Sequence, residues 1–107
     1  MLEKLSKLVD LSSKPVGYLD GKEIQVLAIV EENPSSNTYF LRIKTDKETL
    51  SELDKTIDTK PVSFAISIKD GGEFSFDIDI IRKYTRAPAD LEDKVYNSHY
   101  VVKESVL

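Results

Sequence analysis

Hydrophobic and polar residues alternate between Lys60 and Ile81. Val62, Phe64, Ile66 and Ile68 fall on one side of a first run, with Ser63, Ala65, Ser67 and Lys69 on the other. After Asp70-Gly71-Gly72 the alternation resumes, with Phe74, Phe76, Ile78 and Ile80 against Glu73, Ser75, Asp77 and Asp79. Strand side chains change face at every residue, so each run predicts a half-buried strand. Parity then sets the turn. A two-residue loop would turn one apolar face to water, whereas a three-residue loop of Asp70, Gly71 and Gly72 keeps both faces together. That loop predicts the pairs Ile68–Phe74, Ile66–Phe76 and Phe64–Ile78.

The same reading extends along the chain. Leu2, Leu5, Leu8 and Val9 recur at helical spacing and predict a short amphipathic helix over residues 2–11, closing one end of the core. Val16 to Leu19, Asp20-Gly21 and the run from Lys22 predict a tight hairpin, because Asp-Gly suits a turn with positive φ. Its second arm is apolar on both sides, with Ile24, Val26, Ala28 and Val30 on one and Leu27 and Ile29 on the other. That pattern predicts a centrally placed strand. A third strand runs from Thr38 to Lys44, with Tyr39, Leu41 and Ile43 inward and Phe40 and Arg42 outward. Thr45-Asp46-Lys47-Glu48 reads as a capping box with Thr45 at the cap. It opens a helix of about ten residues whose apolar side is Leu50, Leu53 and Ile57. Beyond Arg86, Pro88 starts a short helix towards Tyr96 with Leu91 and Val95 on one face, and Tyr100, Val101 and Val102 end the chain in extended form.

The expected class is α+β and mostly antiparallel β. A small curled five-stranded sheet or a barrel is flanked by an N-terminal amphipathic helix and a C-terminal helix or extended tail. The order β-β-β-α-β-β is that of the oligonucleotide/oligosaccharide-binding (OB) barrel. One domain is expected over residues 1–107, divided into a helix (1–13), a β-rich body (14–86) and a tail (87–107).

Composition narrows the classes. The 107 residues carry a net charge of −4, opposite in sign to a domain that holds duplex DNA through its phosphates. The absence of cysteine removes disulfides, zinc-thiolate sites and cysteine nucleophiles. No secretory signal, lipidation motif or membrane-length apolar run is visible, so the expected location is cytoplasmic, away from the membrane.

Three constellations remain. Asp77 and Asp79 lie on one strand face roughly 7 Å apart, the spacing for a shared hydrated magnesium ion if a third ligand joins them. Alternation alone also places polar residues there. Arg82-Lys83-Tyr84-Thr85-Arg86 is a basic cluster around an aromatic. Beside Phe40 and Arg42 it forms a candidate platform for single-stranded nucleic acid, with cations on phosphates and rings on bases. The tail offers Leu91, Val95, Tyr96, Tyr100, Val101 and Val102 to its own sheet, a second copy or another protein, in the last two cases as a strand added at an edge. His99, the only histidine, has no Gly-x-Ser-x-Gly elbow to serve, and no phosphate-binding glycine pattern occurs. The primary expectation is a non-catalytic accessory protein without a cofactor, acting through protein contacts of its terminal segments. The alternatives are a single-stranded nucleic-acid binder and a magnesium-dependent nuclease.

Overall fold

The computed structural model describes residues 2–8, 15–67, 72–86 and 95–105, the side chains of 6–8, 84–86 and 95–97 excepted. The elements are α1 (Leu2–Leu8), β1 (Val16–Leu19), β2 (Lys22–Asn33), β3 (Thr38–Asp46), α2 (Lys47–Asp54), β4 (Val62–Ser67), β5 (Glu73–Arg86) and β6 (Val95–Glu104). Six antiparallel strands run in the order β1-β2-β3-β6-β5-β4, and β1 pairs with β4 to close a barrel-like sheet. The expected five strands become six because Val95 to Glu104 forms a long strand between β3 and β5. Val95 and Tyr96 therefore begin a strand and do not end a helix. Leu91 lies outside the described residues.

Asp20 and Gly21 turn at φ of 52° and 77°, the geometry expected of that hairpin, and Leu19 pairs with Lys22. Gly17 is needed for close approach. A Cβ there would meet the Ala65 carbonyl oxygen at 3.0 Å and Val26 Cγ2 at 3.2 Å. The β4–β5 faces are as the alternation predicts, but the register is two residues off. Phe64 faces Phe76, Ile66 faces Phe74 and Ser67 faces Glu73. A two-residue slip leaves every side chain on its own face, so hydrophobic pattern constrains parity and not register. Phe64 and Phe76 stack with centroids 5.7 Å apart. Residues 68–71 of the expected turn lie outside the described residues.

The doubly apolar β2 has a different cause from the one expected. Its register with β3 shifts between Val26 and Ala28, and the inward set passes from Ile24 and Val26 to Ile29. A bulge puts two residues opposite one and so reverses the alternation. Val30 is left on the outside, 55% exposed.

The interior is filled by Leu19, Ile24, Val26, Ile29, Leu41, Ile43, Val62, Phe64, Ile66, Ile78, Ile80, Tyr100 and Val102. The helices add Leu2 and Leu5 from α1 and Leu50 and Leu53 from α2. The Leu2 N–H donates to Glu104 Oε1 at 3.0 Å, which holds α1 beside the end of β6. Residues 9–11 of the expected first helix lie outside the described residues. At α2 the cap moves by one position. Asp46, not Thr45, accepts from the Thr49 N–H at 2.7 Å, while the Thr45 hydroxyl donates to the Glu23 carbonyl at 3.0 Å. The bond from the Thr49 amide, with Lys22 nearby, holds the Asp46 carboxyl below its usual pKa.

Candidate functional site

Cross-strand register places the expected platform residues. On the outer face, Val30 of β2, Phe40 of β3, Val101 of β6 and Arg82 of β5 form one row. Ala28, Arg42 and His99 form the next, with the Thr85 backbone opposite His99. Phe40, Arg42 and Arg82 are thus brought to one face. Lys83 is not. The β5–β6 register shifts between Ile80 and Arg82, so Lys83 stands opposite Tyr100. Its Nζ lies 2.8 and 3.0 Å from the two Asp54 oxygens and 5.9 Å from the Tyr100 ring centroid. Tyr100 Oη donates to the same Asp54 at 2.8 Å. This cluster fastens the end of α2 to β5 and β6. Tyr84 and Arg86 are placed only by backbone, Arg86 opposite Ser98.

Arg82 is also engaged. Its guanidinium donates to Glu32 Oε1 at 3.3 Å, and Glu32 accepts from the Thr38 hydroxyl. Arg82 belongs to β5 and Glu32 to β2, with β6 and β3 between them. The pair therefore straps the outer face across two strands. Beneath it Val101, pointing away from the interior, is 0% exposed, and Thr38 is buried too. Arginine covers apolar surface with its stem while keeping its charge in water. In the adjoining row, burial first and Arg42 second push the His99 pKa down.

The tail candidates lie inside this chain's own sheet. Tyr100, Val101 and Val102 are all buried, and β6 is paired on both sides. An edge for strand addition is therefore absent at those positions. Val95 and Tyr96 stand opposite Asp46 and Thr45. Asp77 is exposed opposite Ser63, and half-buried Asp79 faces Lys103. Among the described residues no group of three His, Asp or Glu is placed to hold a metal ion.

A further face emerges from the β1–β4 pairing. Tyr18 lies beside Ala65, which lies beside Ser75. Asp20 and Ser63 bond reciprocally, Asp20 N–H to the Ser63 carbonyl at 2.8 Å and Ser63 N–H to Asp20 Oδ1 at 2.9 Å, and Ser63 faces Asp77. Ser67 faces Glu73, and Val16 stands two residues before Tyr18 on the same side of β1. The face thus has Val16 and Tyr18 along β1 with Asp20 in the turn after it, Ser67, Ala65 and Ser63 along β4, and Glu73, Ser75 and Asp77 along β5. Val16 and Tyr18 are 45% and 40% exposed. The alternation assigned the outer residues of β4 and β5 correctly. What it lacked was the neighbour, since no local pattern encodes which strand β1 joins.

No family model matches this chain, and neither a curated protein nor a solved structure matches it significantly. Among the described residues no helix is long and apolar enough to cross a membrane.

Proposed function

We propose that this chain is a small non-catalytic binding module that holds a protein partner on the outer face of β1, β4 and β5. The supporting observation is the pair Val16 and Tyr18, left exposed beside a column of small side chains. Tyrosine supplies a large contact at low entropy cost and is enriched among residues that dominate interfaces. The terminal segments first expected to make such contacts supply core and sheet instead. A photo-crosslinking amino acid at position 65 of the full chain tests the reading in its native cell. A discrete protein adduct that Tyr18→Ala abolishes supports it. Absence of any adduct there overturns it.

One observation favours a second reading. Without β6 the order is β-β-β-α-β-β, and β6 lies antiparallel between β3 and β5, which run in the same direction. We read this as an OB-like barrel with a sixth strand inserted. Phe40 and Arg42 lie on its β3 outer face, where stacking and phosphate contact would hold single-stranded nucleic acid. Fluorescence titration with a labelled oligonucleotide at low and moderate salt decides it. Failure to bind at low salt removes that reading.

A further inference from the structure

We propose that the occupant of the β1–β4–β5 face is an amphipathic helix whose polar flank carries lysine or arginine. The inference rests on the protein-binding reading above and names the partner's chemistry. Secondary structure comes first. β1 is hydrogen-bonded to β2 and β4, β4 to β1 and β5, and β5 to β4 and β6. Strand addition needs a free edge, and β1 and β4 are paired on both sides. A strand added to β5 over residues 73–77, which pair with β4 alone among the described residues, would lie beside the face and leave Val16 and Tyr18 uncovered. An extended segment laid over the face would meet side chains only and leave its own backbone groups without strand partners. A helix brings its backbone already satisfied.

Dimensions agree. The β1 and β5 columns are two strand spacings apart, roughly 10 Å, with Ser67, Ala65 and Ser63 as a low floor between them. A helix about 10–12 Å across, side chains included, rests on that floor and touches both columns.

Charge then selects the sequence. The helix's apolar stripe meets Val16 and Tyr18, and its opposite flank meets Glu73 and Asp77. No cation stands opposite either acid on β4, where their partners are Ser67 and Ser63. Glu73 and Asp77 lie four residues apart on one strand face, roughly 13 Å. Two helical turns advance about 11 Å, so long cationic side chains seven residues apart reach both. A second copy fits poorly, because an isologous contact would bring two acidic columns together, with no cation among the described residues of the face opposite Glu73 or Asp77.

The test uses the full chain and three labelled peptides of about 18 residues: a leucine–lysine amphipathic helix, its leucine–glutamate counterpart, and the lysine peptide interrupted by proline. Binding is followed by anisotropy and mapped by amide chemical shifts. The lysine helix is expected to bind, to shift Tyr18, Ala65 and Ser75, and to weaken as salt rises. Tyr18→Ala, and separately Glu73→Lys with Asp77→Lys, should each weaken it at least about tenfold. Thermal unfolding of the variants confirms that they remain folded. The inference is overturned if the glutamate helix or the interrupted peptide binds equally well, if shifts map to another face, or if neither variant matters. Self-association abolished by Tyr18→Ala would overturn it too, assigning the face to a second copy. A position-65 adduct with no lysine-helix binding leaves the protein-binding reading intact and removes only this one; loss of both removes both.

Discussion

On the β3–β6–β5 face the chain covers its own apolar groups, and on the β1–β4–β5 face it leaves them bare. Val101 and Tyr18 both point away from the interior, yet Val101 is 0% exposed and Tyr18 40%. The difference lies in the neighbours. Val101 is flanked by Phe40 and Arg82, whose long side chains close over it, with Glu32 completing the strap. Tyr18 is flanked on β4 by Ala65, with Ser75 beyond, and neither has atoms enough to reach across; on β2 it stands opposite Glu23, which leaves it 40% exposed. On the β4 side of Tyr18, and on both sides of Val101, the size of the neighbouring side chain thus matches the exposure. The covered one contributes to stability, and the bare ones are those proposed above for partner contact.

The largest expected effect separates the two faces directly. Val101→Asn places an amide under the strap without a designed partner and should destabilise by about 2–4 kcal/mol. Ser75→Asn, on the open face, should stay within about 0.5 kcal/mol. Urea denaturation measures both. Equal costs would mean that the faces are covered alike.

A smaller effect tests the strap. Arg82→Ala removes the stem over Val101 as well as the charge, whereas Arg82→Gln keeps most of the stem. The alanine variant should therefore be the less stable of the two. A double-mutant cycle with Glu32→Ala should give a coupling of only about 0.2–1 kcal/mol, because the Arg82 side chain is 56% exposed and the contact is long at 3.3 Å. If alanine and glutamine at position 82 prove equivalent, the stem is not what covers Val101.

How much of this was legible beforehand follows the same division between local and distant information. The faces of β4 and β5 could be read from parity, since Phe64, Ile66, Ile78 and Ile80 all lie inside. Their register could not, because a two-residue slip costs the pattern nothing. The run Leu27-Ala28-Ile29-Val30 hid a bulge, as four consecutive apolar residues disguise a change of phase. The sixth strand had a signal in Tyr100-Val101-Val102, an unbroken apolar run of the kind a strand covered on both faces shows. Pro88 and the Leu91–Val95 spacing suggested a helix before it. The bulge ahead of Arg82 sent Lys83 to Asp54 and so divided a basic cluster that looks continuous in sequence. The open face depends on β1 meeting β4, a contact between residues more than forty apart. Its members were visible singly as outer positions, but their grouping was not.

The smallest effect is a titration, and it reports how closed the strapped side is. His99 stands between Arg42 and Thr85 in the row next to Val101. Burial, then the Arg42 charge, lowers its pKa from the ordinary value near 6.5. The unfolded chain thus takes up the proton more readily than the folded one. The stability this group contributes is fully present above pH 6.5 and is lost as pH falls through the folded pKa. As the only histidine, its ring protons can be followed by NMR without assignment ambiguity. Arg42→Gln should move the pKa part of the way back towards 6.5, the remaining depression being that of burial. A histidine that titrates at or above its ordinary value, unchanged by Arg42→Gln, would mean that water reaches this row as freely as it reaches Tyr18. The contrast between the two faces would then fail at its covered end.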